Sequence, residues 1–199
     1  MVERVPERML ELILASSSPR RQQFMADLGV PFTVDASDVD ETPHNREHPL
    51  DYVKRVTKDK ALTVAQRHAG KVILAADTTV TVGQRILGKP ENAAEAEKML
   101  RLCSGKRQQV ITAVSVVDAE GKHHQKIETV VVKFKMLTEK DIERHVANAE
   151  NWQGKAGAWG IQSTAGCALT KWMRGQYSAV VGLPLVETIN LLRKAHIDV

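Results

Sequence analysis

Three hydroxyls, a proline and two arginines in succession, Ser16-Ser17-Ser18-Pro19-Arg20-Arg21, are well suited to gripping an anion. An apolar run, Leu12-Ile13-Leu14-Ala15, leads into them, and an apolar-periodic segment with Phe24, Met25 and Leu28 follows. That order reads as a short buried strand, a tight loop and a helix with Pro19 in its first turn, where a missing N–H is one of the unpartnered donors anyway. Free backbone N–H groups, serine hydroxyls and two guanidinium forks would then meet at the positive end of a helix, a place that suits phosphate. A serine cap beside two solvated arginines would produce the same order of residues. Further along stand Lys60, Asp77-Thr78 and Lys89, with Glu41 beside Asp40 in an acidic stretch. Cations neutralise charge building on phosphate oxygens, and carboxylates orient a water or hold a divalent ion, so this set points to phosphoryl chemistry.

The elements that must hold these groups follow from periodicity. Phe32–Val34 reads as a short strand after a Gly29/Pro31 turn, and residues 35–48 as a mobile acidic loop. Pro49 opens a long helix ending near Gly70, with Leu50, Val53, Val56, Ala61 and Val64 on one face. Lys60 falls on that stripe, so it must either snorkel to the edge or meet an anion. Val72-Ile73-Leu74-Ala75-Ala76 is continuously apolar, as in a strand covered on both sides, and ends in Asp77-Thr78. Ligands gather at the carboxyl ends of strands in open α/β sheets, which makes Asp77 a functional candidate; a helix or turn cap is the alternative, weakened by the strand-like run over residues 79–82 that follows.

Gly83-Gln84-Arg85-Ile86-Leu87-Gly88-Lys89 copies the first seven positions of a phosphate-binding P-loop, but Pro90 stands where a hydroxyl is needed. Gly83-Gln84 reads instead as a hairpin turn and Ile86-Leu87 as the returning strand. Residues 110–117 and 129–134 read as a long hairpin, and Thr138 with Asp141 as a capping pattern for a helix. Residues 154–162 form a glycine-rich loop, residues 168–173 and 178–181 resemble strands, and Gly182-Leu183-Pro184 starts a last helix. No linker or internal repeat divides the chain, so residues 1–199 read as one α/β unit with room for a cleft between two lobes.

Composition narrows the partners. A net charge of +4 spread among acids, with few aromatics, argues against nucleic acid and for a small polyanion. Cys103 and Cys167 form no CxxC pair and read as apolar fillers, which excludes a disulfide framework or a zinc site. The histidines show no HExxH spacing, and His44 and His48 lie in a proline-flanked loop. No apolar run reaches membrane length, and residues 1–11 have no signal-peptide core, so a reducing cytoplasm is expected.

Several blocks together resemble the Maf family of nucleoside triphosphate pyrophosphatases. They are Leu14-Ala15-Ser16-Ser17-Ser18-Pro19-Arg20-Arg21, Lys60-Ala61, Ala76-Asp77-Thr78, Leu87-Gly88-Lys89-Pro90, Gly154-Lys155-Ala156-Gly157 through Gly160-Ile161-Gln162, and residues 177–184. The resemblance implies an elongated mixed α/β sheet flanked by helices, with a nucleotide cleft between two lobes as in the inosine triphosphatase fold, and a homodimer. It implies hydrolysis between the α- and β-phosphates with Mg2+ or Mn2+. Position by position, it makes Asp77 the catalytic carboxylate and places Ser16, Arg20, Arg21, Lys60 and Lys89 on the phosphates. Glu41 falls at the acidic position near the metal, shared with Asp77, while Arg20, Thr78 and Gln162 match positions that tune base choice. The block ending in Gln162 looks like the subfamily acting on dTTP and UTP, with 7-methyl-GTP as the sister subfamily's substrate. Trp159 stands where that block usually has a tyrosine, and Ser163-Thr164 replace small glycine-rich positions. A non-catalytic nucleotide-binding regulator of cell division, acting through septum inhibition, is the alternative the resemblance leaves open.

Overall fold

A computed structural model describes residues 10–199. The expectation for the segment before Leu10 lies outside the described residues. A seven-stranded mixed sheet forms the spine: β1 (Leu12–Leu14), β2 (Phe32–Val34), β3 (Val72–Val82), β4 (Arg85–Leu87), β5 (Arg107–Val117), β6 (His123–Phe134) and β7 (Thr170–Arg174). Its order is β2-β1-β3-β5-β6-β7, with β4 paired to β3. Helices α1 (Pro19–Asp27), α2 (Pro49–Ala65), α3 (Ala93–Cys103), α4 (Glu139–Val146), α5 (Thr164–Leu169), α6 (Tyr177–Val181) and α7 (Leu185–Lys194) flank it.

β3 positions the site. Val72–Leu74 pairs in parallel with Leu12–Leu14 of β1, whereas Val80–Val82 pairs antiparallel with β4 across the turn at Gly83-Gln84. Between these two partners, residues 75–79 have no strand alongside on that edge among the described residues, although on the other edge β5 pairs continuously from Ile73 to Thr81. Asp77 therefore stands in the middle of one long strand, not at the carboxyl end that the run Val72–Ala76 predicts. The polar pair Asp77-Thr78 interrupts the apolar run without interrupting the ladder to β5.

Side chains alternate across a strand. Ile73 and Ala75 pack with Ala61 and Val64 of α2, so Asp77 shares the α2 face. Leu74 and Ala76 pack on the opposite face with Met25 of α1 and Leu191 and Leu192 of α7, the face that Thr78 shares. A third apolar cluster, around Leu100, Phe134, Ile142 and Trp159, surrounds the far end of β3 at Val80. β3 thus joins the clusters packed around residues 72–76 to the one packed around Val80, and Asp77 lies between them.

Two predicted strands are corrected. Residues 164–169 form helix α5, capped by the Ser163 hydroxyl accepting from the Gly166 N–H at 3.0 Å, and β7 begins only at Thr170. Residues 177–181 form α6, a short helix bracketed by Gly175 and Gly182, whose φ of 129° and 128° only glycine adopts freely. The β-branched Val180-Val181 pair favoured a strand, but burial of Ala179 and Val181 on one side and the chain reversal at Gly182 prevail. The acidic loop is irregular as expected, yet tied down. Tyr52 Oη donates to the Glu41 carbonyl at 3.0 Å, and Arg55 grips Glu47 with two nitrogens at 2.8 and 2.7 Å while also reaching the Thr42 carbonyl. His48 caps α2, its Nδ1 accepting from the Leu50 N–H at 3.3 Å.

Candidate active site

A cavity of about 420 Å³ wraps the unpaired edge of β3, within the ~300–1,000 Å³ typical of small-molecule sites. It receives side chains from both faces of the strand. On the α2 face, Lys60 Nζ lies 2.6 Å from Asp77 Oδ1 and 2.8 Å from Glu41 Oε1. The lysine on the apolar stripe therefore meets anions, not solvent, and its side chain is only 9% exposed. Burial pushes the Glu41 carboxyl pKa up, but the hydrogen bond and charge of Lys60, helped by Lys89 and Arg21, more than offset it and bring it below its usual value.

On the other face, the loop after β1 turns back on itself. Ser16 Oγ accepts from the Ser18 N–H at 3.3 Å and from Arg21 Nη1 at 3.0 Å. Arg21 Nε donates to the Gly182 carbonyl at 2.8 Å, and Nη2 reaches Thr78 Oγ1 at 3.4 Å. Thr112 lies opposite Thr78 across the ladder, 3.0 Å between hydroxyls, and 2.8 Å from the Ala179 carbonyl. A carbonyl only accepts, so when Thr112 donates to Ala179, Thr78 must donate to Thr112 and is free to accept from Arg21. The result is a directed chain from guanidinium to backbone that fixes Arg21. Three of its five N–H donors are engaged, leaving two. Burial lowers the Arg21 pKa and the nearby charge of Arg20 adds to that, while Asp77 and Glu41 oppose it. Burial also lowers that of Arg20. An arginine stays charged under either influence.

The lining is chemically mixed. Arg20, Arg21, Lys60, Lys89 and Lys155 share it with the carboxylates Glu41 and Asp77, with the apolar Val80, Val110, Ala156 and Trp159, and with the Gln162 amide. Ser17, Ser18 and Pro19, at the uncapped start of α1, line it too. Such a lining suits a ligand with a polyanionic tail and a flat, partly apolar head.

A family model described as Maf-like protein matches residues 11–195. The chain belongs to the Maf family. This Maf protein is 44% identical over 192 residues to a dTTP/UTP pyrophosphatase of Novosphingobium aromaticivorans, covering 95% of this chain and 94% of the relative. It is 46% identical over 182 residues to a dTTP/UTP pyrophosphatase of Rhodospirillum rubrum, covering 91% and 86%. Among solved structures, a nucleoside-triphosphatase or dITP/XTP pyrophosphatase of Mycobacterium abscessus matches with a TM-score of 0.46 at 13% identity, covering 92% of this chain and 94% of that one.

In this Maf protein, Ser16, Arg20, Arg21, Glu41, Lys60, Asp77, Thr78, Lys89 and Gln162 line one cavity, whereas Asp40, the carboxylate beside Glu41 in the sequence, is exposed and accepts from the Thr42 N–H at 2.8 Å instead. Sequence reasoning missed Lys155, which also lines it. Burial, together with the charge of Arg20, lowers the Lys155 pKa. Its signal was a cation inside the glycine-rich block. It also missed Thr112, whose hydroxyl inside an otherwise apolar strand run is the visible anomaly. Cys103 is buried as expected, and burial pushes its thiol up to about 12; Cys167 is exposed, correcting its reading as a filler.

Among the described residues no three His, Cys, Asp or Glu side chains stand close enough to hold a metal ion by themselves. Asp77 and Glu41 each engage one oxygen with Lys60, which leaves one hard carboxylate oxygen apiece. Two such donors fit a magnesium-like cation, which keeps waters and takes substrate phosphates as its other ligands. No helix among the described residues is long and apolar enough to cross a membrane.

Proposed function

We propose that this chain hydrolyses dTTP and UTP to the nucleoside monophosphate and pyrophosphate. The observation that carries this is the lining of one cavity: five cations and two carboxylates share it with apolar side chains and one amide, around the middle of β3. The names of the curated relatives supply the choice of base.

Arg20, Arg21 and Lys89 bind the phosphate tail, and Ser16, whose oxygen already accepts from Arg21, keeps its own hydrogen to donate. Asp77 takes the proton of the water that attacks the α-phosphorus, and the β- and γ-phosphates leave together as pyrophosphate. Lys60 orients the Asp77 carboxylate through its 2.6 Å contact. Glu41 and Asp77 would hold a divalent cation, whose charge neutralises phosphate oxygens as the bond breaks. Gln162 offers a donor and an acceptor to a pyrimidine edge, and a base that leaves them unpaired is disfavoured. The unpaired cysteines suit a reducing cytoplasm, and the homodimer is carried by the family resemblance.

The test is a triphosphate panel with product identification at fixed Mg2+. Turnover of dTTP and UTP to monophosphate and pyrophosphate is expected. Preference for 7-methyl-GTP, orthophosphate as the product, or binding without turnover would overturn the reading.

A further inference from the structure

Gln108 lies on β5 two residues before Val110, so the two side chains share a face of the sheet, and Val110 lines the cavity. Gln108 itself is fully buried beneath that lining. Its Oε1 accepts from the indole Nε1–H of Trp159 at 3.0 Å. An indole N–H only donates, so this bond settles the orientation of the amide and turns Nε2 away from it. That Nε2 is buried and has no hydrogen-bond partner among the described residues. An apolar side chain of similar size would leave the indole N–H unpaired instead, so the amide is matched to this one ring. What it does is hold one ring.

Trp159 is fixed from other sides as well. Phe134 meets it edge-on, centroids 5.0 Å apart at 70°. Gly157, at φ 71°, leaves room for the indole, since a Cβ there would come within 3.2 Å of Nε1 and 3.1 Å of Val80. The Gly157 N–H is tied to the Gly88 carbonyl at 3.0 Å, next to Lys89. Trp159 is therefore a wall of the cavity whose placement depends on a residue outside the lining.

We propose that Gln108 is a positioning residue for base recognition: by holding the Trp159 indole it sets the width of the cleft where the base lies. This rests on the reading above, in which Gln162 meets the edge of the base. Lost positioning would reach the base and spare the phosphates.

The experiment compares Gln108→Leu with the wild type on dTTP, UTP, dATP and dGTP, with inorganic tripolyphosphate as a competitive inhibitor that has no base. Thermal melting confirms that the variant folds. Gln108→Leu should raise KM for dTTP and UTP at least tenfold with little change in kcat, shrink their advantage over the purine nucleotides, and leave tripolyphosphate inhibition unchanged. Trp159→Phe removes the N–H together with part of the ring that walls the cavity, so it should give at least the same loss of discrimination, and the double variant should be no worse than Trp159→Phe alone. Trp159→Phe also carries the test if Gln108→Leu does not fold. An unchanged discrimination ratio, a parallel loss of tripolyphosphate inhibition, or additive effects of the two substitutions would overturn the proposal. In protein carrying Trp152→Phe and Trp172→Phe, the emission of Trp159 should shift with Gln108→Leu. That readout needs no turnover, so an inactive wild type would count against the proposed function and not against the positioning role.

Discussion

The Nε–H of Arg21 donates to the carbonyl of Gly182 at 2.8 Å, joining the first turn of α1 to the bend between α6 and α7 across 161 residues of sequence. Arg21 is thus both a phosphate candidate and a clasp. Arg21→Lys keeps the charge but cannot reproduce bonds to Gly182, Ser16 and Thr78 from one point. Its expected effect is a loss of about 1–3 kcal/mol in urea unfolding together with a raised KM. Arg20→Lys, at a position whose side chain has no hydrogen bond among the described residues, should raise KM with little change in stability.

Lys60 is pressed between two carboxylates, so removing it leaves charge behind. Lys60→Met should destabilise the protein by about 3 kcal/mol, because Asp77 is left buried without its partner. Asp77→Asn leaves the lysine near Glu41 and removes the proposed proton acceptor, so it should lower kcat by about 10²–10⁴ with a smaller stability loss. Denaturant melts and steady-state rates on both variants separate the two effects.

Gly166 is predicted to be intolerant of any side chain. A Cβ there would lie 2.1 Å from the Gly160 carbonyl oxygen, and this is backbone that cannot turn aside. The same oxygen accepts from the Ser163 hydroxyl at 3.0 Å, so α5 is seated directly on the glycine-rich loop. Gly166→Ala should cost more than about 2 kcal/mol and displace Gln162, read as lost stability and weakened nucleotide binding together.

Stability should fall on mild acidification because of His145. The ring is buried, its Nε2 lies 3.0 Å from the Ala158 carbonyl, and Nδ1 has no partner among the described residues. Burial, with Lys155 adding to it, lowers its pKa. A second N–H would have no acceptor. The folded pKa is below the unfolded value of about 6.5, so the unfolded chain binds more protons in that interval and stability drops as pH falls below about 6.5. His145→Gln should flatten the melting temperature between about pH 5 and 7; an equal slope in both proteins would refute the assignment.

Much of this site was legible as residues and little of it as geometry. Lys60 stood out as the misfit on a helical stripe, and the Ser16–Arg21 run declared its loop by composition. The bare stretch of β3 was not visible, because it depends on where β1 stops and β4 starts, and both are decided by pairing between distant segments. That is why Asp77 read as a strand end. The helix at 177–181 was hidden by valines whose local preference is extended. The bond between Gln108 and Trp159 spans 51 positions and leaves no periodic trace.

The gap along β3 has a mechanical corollary. A crevice at a frayed sheet margin could gape or slide, but here the same backbone runs through both halves of the molecule, clamped above and below and along its entire rear. Disturbing either half must be felt at position 77. Substitutions far out in the Leu100 or Leu191 clusters should therefore impair turnover before they unfold the protein.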